Sequence, residues 1–211
     1  MPDALRREDQ GPTPAADWGL GVGDGDQRAA ARFTILIRAA KLITPQGEFL
    51  GVIRDASESG ISMRIFHELT NCLETTIELQ NGDRYLANLR WQNAERAGFQ
   101  FKSPADIDRI IESPSRLSKR AIRLNVIAEA DLCGGLQVAD CMIQDLSQQG
   151  AKISCNSRFA IDERVRLKAD GMREINAKVR WRRGESYGLI FEETFQFGEL
   201  ARIACQLQSA D

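Results

Sequence analysis

Short apolar or alternating runs dominate the chain from residue 33 onward. FTILIRAAKLI, FLGVI, ISMRIF, TTIEL and RYLANLRW follow one another between residues 33 and 91. Turn residues separate them at Pro45–Gly47, Asn81–Gly82 and Ala97–Gly98. Alternation with a period of two marks strands that bury one face, and Asn-Gly between two such runs is a strong hairpin signal. The second half behaves alike, with Asp170–Gly171 between VRLKA and REINAKVRW. Two stretches change period. In SPADIDRIIESPSRLSKR, Pro104 and the acidic residues favour a short helix that stops near Ser113–Pro114. In FGELARIACQLQ, Leu200, Ile203, Ala204 and Leu207 share one helical face, predicting a terminal helix packed on a barrel. Residues 1–27 lack periodicity and are rich in Gly, Pro, Asp and Ala, which predicts a mobile tail.

The two halves are copies. LRWQNAERAGFQF (residues 89–101) returns as VRWRRGESYGLIF (residues 179–191). Trp91, Gly98 and Phe101 fall on Trp181, Gly188 and Phe191 at an offset of 90, which also carries Asp55, Ser57 and Gly60 onto Asp145, Ser147 and Gly150. A period this long means whole domains in tandem rather than a solenoid. Five or six short strands per copy predict a mainly all-β chain of two small closed antiparallel barrels, since closure removes exposed edges. The expected units are barrel one at 28–102, a linker with a helix at 103–118, barrel two at 119–193 and a terminal helix at 194–211.

Composition narrows the function. The chain has 211 residues, a formal net charge of -2, one histidine and five cysteines. Near-neutral charge argues against a dedicated nucleic-acid binder, and no apolar run is long enough for a membrane span. The start of the chain lacks the apolar core of a secretory signal, so a cytoplasmic location is expected. The cysteines form no CxxC pair, and with a lone histidine no metal site is expected. They read as reduced thiols. His67 reads as an exposed or edge residue, Trp91 and Trp181 as core anchors, and Glu192–Glu193 as a solvated helix start. The run Gly19, Gly21, Gly23, Gly25 fails the dinucleotide fingerprint because Asp24 and Asp26 interrupt it. No nucleophile with a base is visible, so no catalysis is expected.

Candidate chemistry lies in two patterns. Arg28-Ala-Ala-Ala-Arg32 precedes the first strand, and Asp55-Ala-Ser57-Glu-Ser-Gly60 follows the second. Guanidinium groups bond bidentately to phosphate or to guanine O6 and N7, and a lysine cannot reproduce that planar fork. A carboxylate such as Asp55 suits guanine N1–H and N2–H₂. Ser57 either donates to phosphate or orients the turn, and Gly60 leaves the backbone free of a side chain. In copy two, Asp145, Ser147 and Gly150 are intact and Arg123 aligns with Arg32 with one residue of slippage. Four residues before Arg123 stands Lys119, and RxxxR returns only at Arg116–Arg120, three residues too early.

Arg28 and Arg32, Asp55, Ser57 and Gly60, with Trp91, Gly98 and Phe101 behind them, resemble the PilZ family of bacterial cyclic di-GMP receptors. The resemblance covers about residues 28–101 and 119–191. It implies six-stranded antiparallel barrels, each followed by a helix, and a non-enzymatic receptor gripping cyclic di-GMP through Arg28, Arg32, Asp55, Ser57 and Gly60. It implies a second site at Lys119, Arg120, Arg123, Asp145, Ser147 and Gly150 whose clamp is altered. The family also implies a protein partner in motility or exopolysaccharide machinery. A rival reading keeps the barrels as degenerate scaffolds that bind such a partner without nucleotide.

Overall fold

A computed structural model describes residues 33–70, 72–111 and 121–208, with side chains from Arg38 onward. Arg28, Arg32, Lys119, Arg120, the glycine run and the N-terminal tail lie outside the described residues. Barrel 1 is built from β1 (Phe33–Thr44), β2 (Gly47–Ser57), β3 (Gly60–Arg64), β4 (Glu74–Leu79), β5 (Arg84–Gln92) and β6 (Arg96–Phe101), followed by the short helix α1 (Ile107–Ile111). Barrel 2 is built from β7 (Arg123–Gly134), β8 (Gln137–Ser147), β9 (Gly150–Cys155), β10 (Arg164–Ala169), β11 (Met172–Arg183) and β12 (Ser186–Phe191), followed by α2 (Phe197–Gln208). Both sheets close antiparallel in the same order, each first strand pairing with its second and fourth.

The one-residue slippage between the copies has a physical seat. Thr34 pairs with Asp55 and Asn125 with Asp145, and a bulge follows each. The bulge of β1 holds one residue more than that of β7, so the copies run at an offset of 91 before it and 90 after it. This register places Arg123 opposite Ser147.

The β5–β6 turn falls at Asn93–Glu95, where the Asn93 side-chain oxygen accepts from the amides of Glu95 and Arg96. Ala97–Gly98, expected as that turn, lies inside β6. Glu192 and Glu193 do not open a helix either. They precede α2 by several residues and pair with Arg164 and Arg173. The five cysteines are free, three of them buried.

α2 carries the expected apolar face, with Leu200, Ala201, Ile203, Ala204 and Leu207 buried. It touches β7 and β11 of its own barrel and β2 of barrel 1. The sequence of β2 accommodates both contacts. Phe49 faces the interior of barrel 1 opposite Leu42, while Leu50 stands opposite Lys41 on the outer side and joins the core of barrel 2. The aligned strand β8 alternates normally, with Asp140 exposed where β2 has Leu50. Polar bonds fix the junction. The Glu48 amide donates to Gln208 Oε1 at 2.9 Å, and Gln208 Nε2 donates to the Glu48 carbonyl at 3.0 Å. Gly47 is obligatory here, with φ +139° and Gln208 Oε1 only 2.1 Å from where a Cβ would stand. The Glu48 carboxylate accepts from the backbone amide and from Nδ2 of Asn125, each at 2.8 Å, and from Lys41 at 3.0 Å.

His67 is not the solvated edge residue expected. Both ring nitrogens are buried without a partner among the described residues, and the ring lies 4.2 Å from Phe49. Burial lowers its pKa from the ordinary 6.5.

Two outcomes follow. Burying a leucine contributes about 2 kcal/mol, and an aspartate at that position forces a buried charge. Leu50→Asp therefore separates the barrels, raising the radius of gyration in small-angle X-ray scattering and splitting urea unfolding into two transitions. The unfolded chain binds a proton at residue 67 more readily than the folded one, so stability falls as pH drops below about 6.5. His67→Leu flattens the dependence of melting temperature on pH between roughly 7.5 and 5.

Candidate nucleotide-binding cleft

The DxSxxG turns are built alike in both barrels. Ser57 and Ser147 are buried, and each hydroxyl donates across its turn to the carbonyl of Gly60 or Gly150, at 3.3 and 3.0 Å. Both serines therefore orient the turn. The glycines answer a close approach: a Cβ would stand 2.5 Å from the Phe99 carbonyl oxygen at Gly60 and 2.2 Å from that of Leu189 at Gly150. Asp55 accepts from the Ser62 hydroxyl, and Asp145 holds Arg123 Nη1 at 2.8 Å.

In barrel 2 the turn opens on a cleft of about 720 Å³, within the size range of small-molecule sites. Arg123, Ser147 and Gly150 line it, with Arg180, Trp181 and Ile190 from the neighbouring strands. Barrel 1 supplies the facing wall through Lys41, Glu78 and the β4–β5 turn from Leu79 to Gly82. The structure thus unites Arg123, Ser147 and Gly150 in one wall and places Asp145 behind Arg123. Asp55, Ser57 and Gly60 form the equivalent turn on barrel 1.

The tryptophans depart from expectation. Trp91 and Trp181 are 46% and 37% exposed, so neither is a core anchor. Each indole lies on a cross-strand glycine: a Cβ on Gly98 or Gly188 would stand 2.1 or 2.0 Å from the ring nitrogen. The repeated pairing of Trp91 with Gly98 and of Trp181 with Gly188 was the available sequence signal, because a glycine opposite an aromatic leaves a seat for the ring. Lys41, Arg180 and the β4–β5 turn were missed outright, since only the docking of the barrels and a bulge in β11 bring them to the cleft.

A second concavity of about 530 Å³ lies on barrel 2. Glu129, Asp131, Asp140, Asp170 and Glu185 line it against a single Lys168, a field that repels anions. Burial, reinforced by Cys155 and nearby carboxylates, pushes the Cys141 thiol there up to about 12. Among the described residues no group of three or more His, Cys, Asp or Glu is placed to hold a metal, and no helix is long and apolar enough to cross a membrane.

Two docked six-stranded barrels thus enclose a cleft bordered by a serine-glycine turn and two arginines. The family model described as the PilZ domain matches residues 114–207, which contain the whole of barrel 2 and α2 up to Leu207. The match thus assigns the PilZ domain to this second barrel and its helix. No curated protein matches its sequence. Among solved structures it is similar to the Borreliella burgdorferi PlzA protein in complex with c-di-GMP, at 12% identity and TM-score 0.36, over 81% of this chain and 87% of that one. It is similar to the Bacillus subtilis inhibitor of motility MotI/DgrA, at 12% identity and TM-score 0.35, over 84% and 98% of the two chains. It is also similar to Escherichia coli YcgR in complex with c-di-GMP, at 12% identity and TM-score 0.28, over 82% and 81%.

One outcome tests the aromatic seat. Gly188→Ala drives the indole of Trp181 from its strand, red-shifts its fluorescence and lowers stability by about 1–3 kcal/mol, the cost of overpacking. Chemical denaturation followed by fluorescence measures both.

Proposed function

We propose that this chain is a cyclic di-GMP receptor that binds one site on each barrel. The observation that carries the reading is the barrel 2 cleft, where a PilZ domain presents Ser147, Gly150 and Arg123 to a nucleotide-sized space. On barrel 1 the ligand is gripped by Arg28 and Arg32 together with Asp55, Ser57 and Gly60. On barrel 2 the grip falls to Arg123, Asp145, Ser147 and Gly150, joined by Lys119 and Arg120.

The chemistry follows from residue type. Guanidinium groups meet phosphodiester oxygens or the O6/N7 edge of guanine in paired bonds. The aspartates accept from guanine N1–H and N2–H₂. The turn serines stay committed to their glycine carbonyls and hold the loop in shape. On barrel 2 the ligand acts next to the joint between the barrels. Asn125 pairs with Asp145 and donates to Glu48 of barrel 1. A ligand that draws Arg123 or Asp145 toward itself therefore biases the interdomain geometry, as population shift requires. The output passes through a protein partner that distinguishes the two geometries.

Calorimetry on the full chain tests this. Cyclic di-GMP gives heat at micromolar concentration with two sites per chain. Arg28→Ala with Arg32→Ala removes the barrel 1 site, and Asp145→Ala weakens the other at least tenfold, whereas Glu58→Ala changes neither. Absence of heat for the unaltered chain overturns the reading. It would favour a ligand-free scaffold, a role supported by Lys119 standing where the clamp needs an arginine.

A further inference from the structure

The bulge in β11 has a consequence for the ligand site. Val179 pairs with Leu189 and Trp181 with Gly188, leaving Arg180 as the extra residue. A bulge interrupts the alternation of side chains and re-aims the extra one. Here Arg180 and Trp181 are both exposed, and both line the cleft that Ser147 and Gly150 also border. Barrel 1 has the same bulge, with Arg90 between Leu89 and Trp91. There the arginine is occupied: Arg90 Nε donates to Gln100 Oε1 at 2.7 Å, and its Nη2 bonds the same oxygen. The residue in barrel 2 that corresponds to Gln100 is Ile190, which has no acceptor. Arg180 has no hydrogen bond or ion pair among the described residues, while Arg123 is held by Asp145.

We infer that Arg180 is a ligand-gripping residue of the barrel 2 cleft, supplying the free guanidinium that the Lys119-containing clamp lacks. The inference rests on the reading of that cleft as a cyclic di-GMP site. Its physical basis is the contrast between copies. An arginine tied to Gln100 must break two hydrogen bonds to meet a ligand, whereas one beside Ile190 breaks none. Its planar fork suits a phosphodiester or a guanine edge, and lysine at the same place offers only a point charge. The exchange of Gln100 for Ile190 thus makes the two barrels unlike in the cations they present.

The test uses the full chain carrying Arg28→Ala and Arg32→Ala, so that barrel 2 alone is titrated with cyclic di-GMP by calorimetry. Arg180→Ala weakens binding at least tenfold, Arg180→Lys fails to restore it, and Arg166→Ala, which removes an arginine paired with Glu174, leaves it unchanged. Circular dichroism melting of the Arg180 variants matches the parent, because the side chain is exposed and unpaired among the described residues. Cyclic di-AMP keeps the phosphates and lacks guanine O6. A variant that loses discrimination between the two dinucleotides assigns Arg180 to the base edge, and one that weakens both equally assigns it to phosphate. If Arg180→Ala titrates like the parent while Asp145→Ala abolishes binding, the inference fails and the cleft reading stands. If the parent gives no heat, both fail.

Discussion

The structure depends on the docking of barrel 1 onto the terminal helix of barrel 2. A small six-stranded barrel needs only one buried surface, its interior. β2 carries two, because Leu50 faces outward into the core formed by β7 and α2. Apolar burial supplies the attraction and sets no register. Register comes from the reciprocal amide bonds between Gln208 and Glu48, and from the Glu48 carboxylate on Asn125. The cleft exists because of this joint. Its far wall is the β4–β5 turn of barrel 1, which closes over Arg123, Arg180 and Trp181 only while the barrels stay docked.

Comparison of the copies shows how one barrel sequence serves two positions. The outward face that docks in barrel 1 includes Lys41 and Leu50. The aligned positions in barrel 2 are Asp131 and Asp140, which border an open acidic concavity. Differences around the turns and bulges run in parallel. Ser62 beside Asp55 becomes Lys152 beyond Asp145, and Gln100 beside Arg90 becomes Ile190 near Arg180.

Much of this was legible in the amino-acid pattern. The offset of 90 residues, the period-two runs and the Gly82 and Gly171 hairpins foretold paired barrels, and the DxSxxG spacing marked two matching turns, the second of which borders the cleft. What escaped needed three-dimensional context. Trp91 and Trp181 read as core because large aromatics usually are, yet the missing side chain of Gly98 or Gly188 across the ladder lets each lie flat outside. Gly98 itself read as a turn for want of knowing that its space was taken by an indole. The continuous run FLGVI, set against VADCMI in the second copy, did record burial on both faces of β2. Seen alone it resembles any short buried strand. Arg180 carried no signal, since a bulge changes the facing of a side chain without changing the residue type.

The central claim is that one ligand site is walled by both barrels. A crystal structure of the full chain with cyclic di-GMP tests it most directly. The account predicts the dinucleotide between the Gly150 turn, Arg123 and Arg180 on one side and the Leu79–Gly82 turn of barrel 1 on the other. A ligand bound to barrel 2 with the barrels undocked, or seated away from the Gly150 turn, would contradict it.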